Sequence, residues 1–261
     1  MLNIEQIRSS IEGSGFISNL YFFDELDSTN TYAADKSVPA DSLIITGYQT
    51  SGKGRFDRKW ESAKDVNLTF SIKKKLPLSP SENHFAVCFF SYYVYEAICQ
   101  ELRESLPTDE ISKLFIKWPN DIMFVNKKIS GILIESKLPA NEYIIGIGIN
   151  CNQNEFKSDI NAASLSGITG RSIDMNKLLL RIIEYFSTNF YELLSKKFDT
   201  IFEKWKNSAN ILGKTCIISS GDDSINNGKI IDLNMDGSIT IQVGTELSKF
   251  YSGEIRLTGL G

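Results

Sequence analysis

The feature that most restricts the fold is a change of patterning near Gly213. Before it, strand-like and helix-like periodicities are interleaved. After it there are only short β-rich runs punctuated by turns. The late runs are Cys216-Ile217-Ile218, Lys229-Ile230-Ile231, residues 238–243 and residues 249–251, separated by Gly221-Asp222-Asp223 and Asp236-Gly237. An α+β domain over residues 1–212 is therefore expected, with an all-β unit over 213–261. The second unit is too small to be very stable alone and suits a small β-barrel.

Within the first part, Ile4, Ile7 and Ile11 share a helical face that Gly13 and Gly15 end. Strands are expected at 21–26, 43–48 and 67–72, then at 114–118, 122–125, 129–135 and 143–149. Asn126-Lys127 is expected as the turn of a tight hairpin. Residues 85–102 read as a long apolar helix whose Phe89-Phe90 and Tyr92-Tyr93 belong to the core. Asp174 opens an amphipathic helix in which Leu178, Leu179, Ile182, Ile183, Phe186, Phe190 and Leu193 keep helical spacing, and a shorter helix covers about 198–207.

Several function classes are disfavoured. The formal net charge is -4, without the basic excess of a nucleic-acid binder. No apolar run reaches the length of a membrane helix. The opening MLNIEQIRSSIEGSGF carries acids and no apolar h-region, so it does not read as a signal peptide. Cys88, Cys99, Cys151 and Cys216 are scattered, and His84 is the single histidine. That argues against a zinc site and for free thiols in a reducing cytoplasm.

The residues that could carry chemistry fall in five places. Gln49 to Trp60 is a glycine-containing loop with Lys53, Arg55, Arg58 and Lys59 close together; it could hold phosphate or carboxylate, or be a solvated turn. Lys117-Trp118-Pro119-Asn120-Asp121 joins two strands, and its lysine and carboxylate suit a phosphate and Mg²⁺, or a plain ion-paired turn. Lys128 opens an apolar strand that Gly131 interrupts, a sign of close approach by a ligand or of a bulge. Gly146 and Gly148 share one face of a strand before Asn150, leaving room for something flat or narrow. Ser28-Thr29-Asn30 can cap a helix and can also hydrogen-bond a polar ring. His84, near a helix start, reads as structural.

Taken in order, Ser28-Thr29-Asn30, the Gly/basic loop ending in Trp60, KWPND, KISGILIE and GIGIN resemble the biotin–protein ligase family. The resemblance runs from about Tyr21 to Arg256. It implies a mixed sheet of the class II aminoacyl-tRNA-synthetase and biotin-ligase kind, followed by an SH3-like barrel. It also implies an enzyme that joins biotin and ATP into biotinyl-5'-AMP with Mg²⁺, then passes biotin to a lysine of a biotin carboxyl carrier protein.

By the same resemblance, Ser28, Thr29, Asn30 and Gln49 would bind the rings of biotin. Lys53, Gly54 and Arg55 would close over it, and Gly131, Leu133, Gly146 and Gly148 would form its floor. Arg58, Trp60 and Asn150 would border the nucleotide, with Asn150 at the adenine. Lys117, Asn120 and Asp121 would face the triphosphate and Mg²⁺. Lys128 would meet both the biotin carboxylate and the α-phosphate, and Lys128, Arg55 and Lys117 are the expected catalytic residues. Members of the family can pair through sheet edges, so a homodimer is open.

The chain departs from the family pattern at Lys53, where an arginine is usual, at Asp57, where a glycine is usual, and around Arg256. Only about 20 residues precede the first catalytic strand, too few for the winged helix-turn-helix of the repressor form, so no DNA binding is expected. Two other readings are a lipoate or octanoate ligase or transferase of the same fold, and a non-catalytic biotin-binding sensor.

Overall fold

The computed structural model describes residues 2–56, 58–137, 140–157, 161–220 and 223–258. Asp57, Gly221 and Asp222 of the sequence reading lie outside these residues.

A seven-stranded sheet organises the first part. Its strands are β1 (Asn19–Phe23), β2 (Ser42–Thr46), β3 (Leu68–Lys75), β4 (Leu114–Lys117), β5 (Asp121–Phe124), β6 (Lys127–Lys137) and β7 (Glu142–Ile149), in the order β1-β2-β3-β7-β6-β5-β4. Only β1 and β2 run parallel; the other pairs are antiparallel. The helices are α1 (Ile4–Ile11), α2 (Thr29–Ala33), α3 (Asn83–Arg103), α4 (Thr108–Ile111), α5 (Leu165–Thr169), α6 (Met175–Leu194) and α7 (Phe198–Ala209).

Side-chain alternation divides the two faces of this sheet. Leu43, Ile45, Leu68, Phe70, Ile72, Ile145, Ile147 and Ile149 point into the main core with the buried faces of α3 and α6. Thr69, Ser71, Gly146 and Gly148 alternate with them and face the other way. On that second face only a small cluster of Ala33, Val38, Ile44 and Ile144 is packed under α2. The rest is left open, and the cleft described below lies there.

Two ends of the expected strands moved for physical reasons. β3 runs on to Lys75 because Lys73 and Lys74 are buried, not solvated. Lys73 Nζ donates to the carbonyls of Asp35 (3.0 Å) and Val38 (2.8 Å), and Lys74 Nζ donates to Phe16 (2.7 Å) and pairs with Asp41 (2.6 Å). A buried ammonium needs such partners. The β5–β6 hairpin turns one residue earlier than expected, with Val125 at φ 55° and Lys127 already in β6. The short helices α4 and α5 carry too few turns to show a periodicity.

The second part is a five-stranded antiparallel sheet: β8 (Thr215–Ser220), β9 (Asp223–Leu233), β10 (Ile239–Val243), β11 (Glu246–Phe250) and β12 (Glu254–Thr258), ordered β11-β10-β9-β8-β12. β12 was not expected as a separate strand. Cys216, Ile218, Ile230, Leu233, Ile239, Ile241 and Ile255 join the same hydrophobic cluster as the main core. The small sheet is also hydrogen-bonded to the first part: Trp118 Nε1 donates to the Gly237 carbonyl (3.0 Å), and the His84 ring bonds the Met235 carbonyl (2.8 Å). His84 therefore fastens the start of α3 to the β9–β10 turn, the structural role expected of it.

Among the described residues no helix is long and apolar enough to cross a membrane. The four cysteines are buried free thiols.

Candidate functional site

The open face of the large sheet forms the floor of a cleft with about 890 Å³ of free space, counted to its open mouth. Every site residue expected from the family resemblance lines it except Asn150. One end is made by Ser28, Thr29, Asn30 and Gln49, the floor by Gly131, Leu133, Gly146 and Gly148, and the roof by Lys53, Gly54, Arg55, Arg58 and Trp60. Lys117, Asn120, Asp121 and Lys128 complete the other end. Asn150 is buried behind that end and donates its side-chain amide to the Lys128 carbonyl (3.2 Å).

The polar end rests on the start of α2. Ser28 is the N-cap and accepts from the Thr31 amide (3.4 Å), which leaves its hydroxyl proton free. Thr29 donates its backbone N–H to Gln49 Oε1 (2.8 Å), so the Gln49 amide is turned with its nitrogen away from Thr29. Asn30 is buried and lies over Gly146. A Cβ placed on Gly146 would come within 2.9 Å of the Asn30 carboxamide carbon. A Cβ on Gly148 would lie 2.5 Å from Trp60 Cζ2. The flat groups that need these two glycines are thus, in this structure, the carboxamide of Asn30 and the indole of Trp60. Among the described residues the Trp60 Nε1 is buried without a hydrogen-bond partner, while Lys128 Nζ lies 5.7 Å from the ring centroid.

The charged end is built around Asp121, at the start of β5 after the cis Trp118–Pro119 peptide. Lys128 Nζ is 2.7 Å from its Oδ1 and Lys117 Nζ is 3.2 Å from its Oδ2. Burial pushes the Asp121 carboxyl up, but the Lys128 and Lys117 ammonium groups outweigh it and hold the carboxyl below its ordinary value. The stabilisation from this triad is present in full above the ordinary carboxyl value of 3.8. It is lost as pH falls through the lower folded value. Urea unfolding of the Asp121→Asn variant against the parent should therefore show a deficit at neutral pH that closes in strong acid. A deficit of constant size from pH 7 to pH 2 would contradict the pairing.

The loop folds back on itself: Trp60 N donates to Gly52 O (2.9 Å) and Gly54 N to Arg58 O (2.7 Å). The Gly54 amide is therefore spent within the loop instead of facing a ligand. The loop is held from two sides. Asn120 donates to the Ile132 carbonyl and accepts from Arg55 Nη1 (3.3 Å), and Arg55 also reaches the Gly253 carbonyl (3.5 Å). Arg58 forms a two-pronged ion pair with Glu254 of β12. Burial lowers the Arg55 pKa, with Asp121 and Glu254 acting against it; the hydrogen bond from Arg58 lowers that of Glu254. Gly253 and Glu254 were not singled out as site residues from the sequence, and Arg256 is exposed and outside the cleft.

Six cationic side chains (Lys53, Arg55, Arg58, Lys59, Lys117 and Lys128) line the cleft against two carboxylates, Asp121 and Glu254. The chain as a whole is acidic. A cleft of opposite sign to its protein concentrates anions. Among the described residues no group of three or more histidines, cysteines or carboxylates could hold a metal ion. Both Asp121 oxygens are already engaged by lysines, so these residues do not make a resident metal site.

Residues 22–152 match the model of the biotin/lipoate A/B protein ligase family. The bifunctional ligase/repressor BirA of Bacillus subtilis is 27% identical over 270 residues, covering 98% of this chain and 79% of its own length. The biotin–[acetyl-CoA-carboxylase] ligase of Paracoccus denitrificans is 26% identical over 205 residues, 75% of this chain and 82% of its own. Among solved structures, the biotin protein ligase from Aquifex aeolicus in complex with biotin and ATP superposes with a TM-score of 0.76 at 29% identity, covering 92% of this chain and 99% of that one.

Proposed function

The chain belongs to the biotin/lipoate A/B protein ligase family, and from that premise we infer that it is a biotin–protein ligase. It activates biotin with ATP and attaches it to a lysine of a biotin carboxyl carrier protein. The observation that carries this reading is the polarity of this cleft: a buried hydrogen-bonding end at Ser28, Thr29, Asn30 and Gln49 faces a cation-rich end at Lys117 and Lys128. A ureido ring offers N–H donors and a carbonyl to the first. Its valerate carboxylate and the ATP phosphates suit the second.

In the first step a biotin carboxylate oxygen attacks the α-phosphorus of ATP, the bond to the pyrophosphate oxygen breaks, and biotinyl-AMP forms. Both reactants are anionic, so the step needs fixed positive charge and alignment more than an acid or base. Lys128 is placed to meet carboxylate and α-phosphate together, with Lys117 and Arg55 on the phosphates. Asp121 holds the two lysines in position through the ion pairs described above. Mg²⁺ would enter with ATP as part of the substrate and would offset phosphate charge, while Lys117, Lys128 and Arg55 supply the fixed positive charge. In the second step the carrier lysine's amine attacks the acyl carbon, AMP leaves, and the amine gives up a proton as the amide forms. Trp60, Lys53, Gly54, Arg55 and Arg58 roof the cleft and shield the anhydride from water. A cytoplasmic setting accords with four buried, reduced cysteines.

The lipoate or octanoate reading gains nothing from the cleft, because a simple acyl chain would leave the Thr29, Asn30 and Gln49 polar groups unanswered. Incubation with biotin, MgATP and an unmodified carrier domain should add one biotinyl group to the carrier by mass spectrometry. A carrier whose target lysine is changed to arginine should stay unmodified. Lipoylation of a carrier under the same conditions, without biotinylation, would overturn the assignment.

A further inference from the structure

Asn30 is held by two residues that do not line the cleft, Glu135 and Ser71. Its Nδ2 donates to Glu135 Oε2 (2.6 Å), and its Oδ1 accepts from Ser71 Oγ (2.6 Å). An ionised carboxylate can only accept, so Glu135 dictates which way the Asn30 amide faces. The nitrogen must point to Glu135 and the oxygen toward Gly146 and Ser71. Gly146 supplies the space for that oxygen.

Ser71 is fully buried and its hydroxyl also lies 2.7 Å from Thr29 Oγ1. It sits opposite Gly146 in the β3–β7 pairing, directly beneath the polar end. The Asn30 oxygen has two lone pairs, one of which Ser71 uses. The other, with the oxygen of Thr29, makes this side of the cleft an acceptor surface.

We propose that Glu135 and Ser71 are positioning residues that set substrate specificity: by locking the Asn30 amide, they make the cleft select a ring that presents an N–H donor. This rests on the biotin–protein ligase reading and deepens it. A ring with sulfur or oxygen at that position would face lone pairs with lone pairs and lose the interaction. Glu135 is exposed on its outer side, so changing it leaves the core intact.

The test compares Glu135→Gln, Glu135→Ala and Glu135→Lys, with Ser71→Ala as a second route to the same amide. Calorimetry reads biotin affinity without turnover; pyrophosphate release then gives KM for biotin and ATP, and kcat. Glutamine keeps an acceptor oxygen and should behave like the parent. Alanine should weaken biotin binding by about tenfold. Lysine, a donor only, should invert the Asn30 amide and weaken binding further still. Ser71→Ala should weaken it in the same direction, and kcat and the KM for ATP should stay near parental in all four. Unchanged biotin affinity in Glu135→Lys, or equal losses in biotin KM, ATP KM and kcat, would overturn the proposal. Parental protein that binds biotin but releases no pyrophosphate would overturn the ligase reading while the affinity series still judged the amide. Parental protein that fails to bind biotin would overturn both.

Discussion

Lys128→Ala should lower the rate of biotinyl-AMP formation by about 10³-fold, the scale of losing a principal charge-stabilising group in a water-poor site. Lys128 stands at the opening of β6, 2.7 Å from Asp121 and beside the Trp60 ring. It is the cation common to both reacting anions in the proposed geometry. Its removal leaves Asp121 with only the Lys117 ion pair among the described residues, so the cleft also loses charge balance. Arginine at the same position keeps the charge but not the compact ammonium, and should recover only part of the rate. The loss should fall in kcat and kcat/KM together, as expected for an interaction made mainly in the transition state. A variant within tenfold of the parent in single-turnover pyrophosphate release would show that another lysine carries the step.

Gly146→Ala should raise the KM for biotin by about 10²-fold or more with little effect on that for ATP. The added methyl would meet the Asn30 carboxamide at 2.9 Å from its carbon. Asn30 cannot retreat, because Glu135 and Ser71 grip its two ends. The backbone at residue 146 is ordinary extended strand, where alanine is no less stable than glycine, so the fold should survive. A lowered unfolding temperature with the fold retained, because the Asn30 hydrogen bonds must give way, together with loss of biotin-dependent activity, is the expected pair of results. The contrast with Gly148→Ala is informative. There the obstacle is Trp60, which rides on a loop and can move, so that variant should lose less. Equal biotin KM values for Gly146→Ala and the parent would place the substrate elsewhere in the cleft.

Much of this cleft was legible in the sequence because its parts sit at strand ends and turns, where residue type follows function closely. Ser28-Thr29-Asn30, the loop residues Lys53, Gly54, Arg55, Arg58 and Trp60, Lys117 to Asp121, Lys128 and the two glycines before Asn150 converge on one cleft. The spacing of Gly146 and Gly148 announced a flat neighbour, though not that this would be Trp60 and the Asn30 amide. Ser71 left a trace, since Thr69-Phe70-Ser71-Ile72 alternates polar and apolar residues, but a half-polar strand usually signals solvent, not a cleft. Glu254 left none. It meets Arg58 across 196 residues, a contact decided by how the small sheet packs on the large one. Lys73 and Lys74 misled for a related reason: their burial depends on carbonyls of Asp35, Val38 and Phe16, which no local pattern advertises. Asn150 stands in the expected place in the chain yet turns its side chain to the Lys128 carbonyl, outside the cleft wall.

The most direct test of the account is pyrophosphate release from MgATP by the purified protein with no carrier present, comparing biotin with lipoate and octanoate. Release with biotin alone is the predicted result, because only biotin answers the polar end at Ser28 to Asn30 while its carboxylate reaches Lys128. Release with lipoate or octanoate but not with biotin would keep the family and contradict the substrate. Tight biotin binding without any release would contradict the ligase itself and leave a biotin-binding protein in its place.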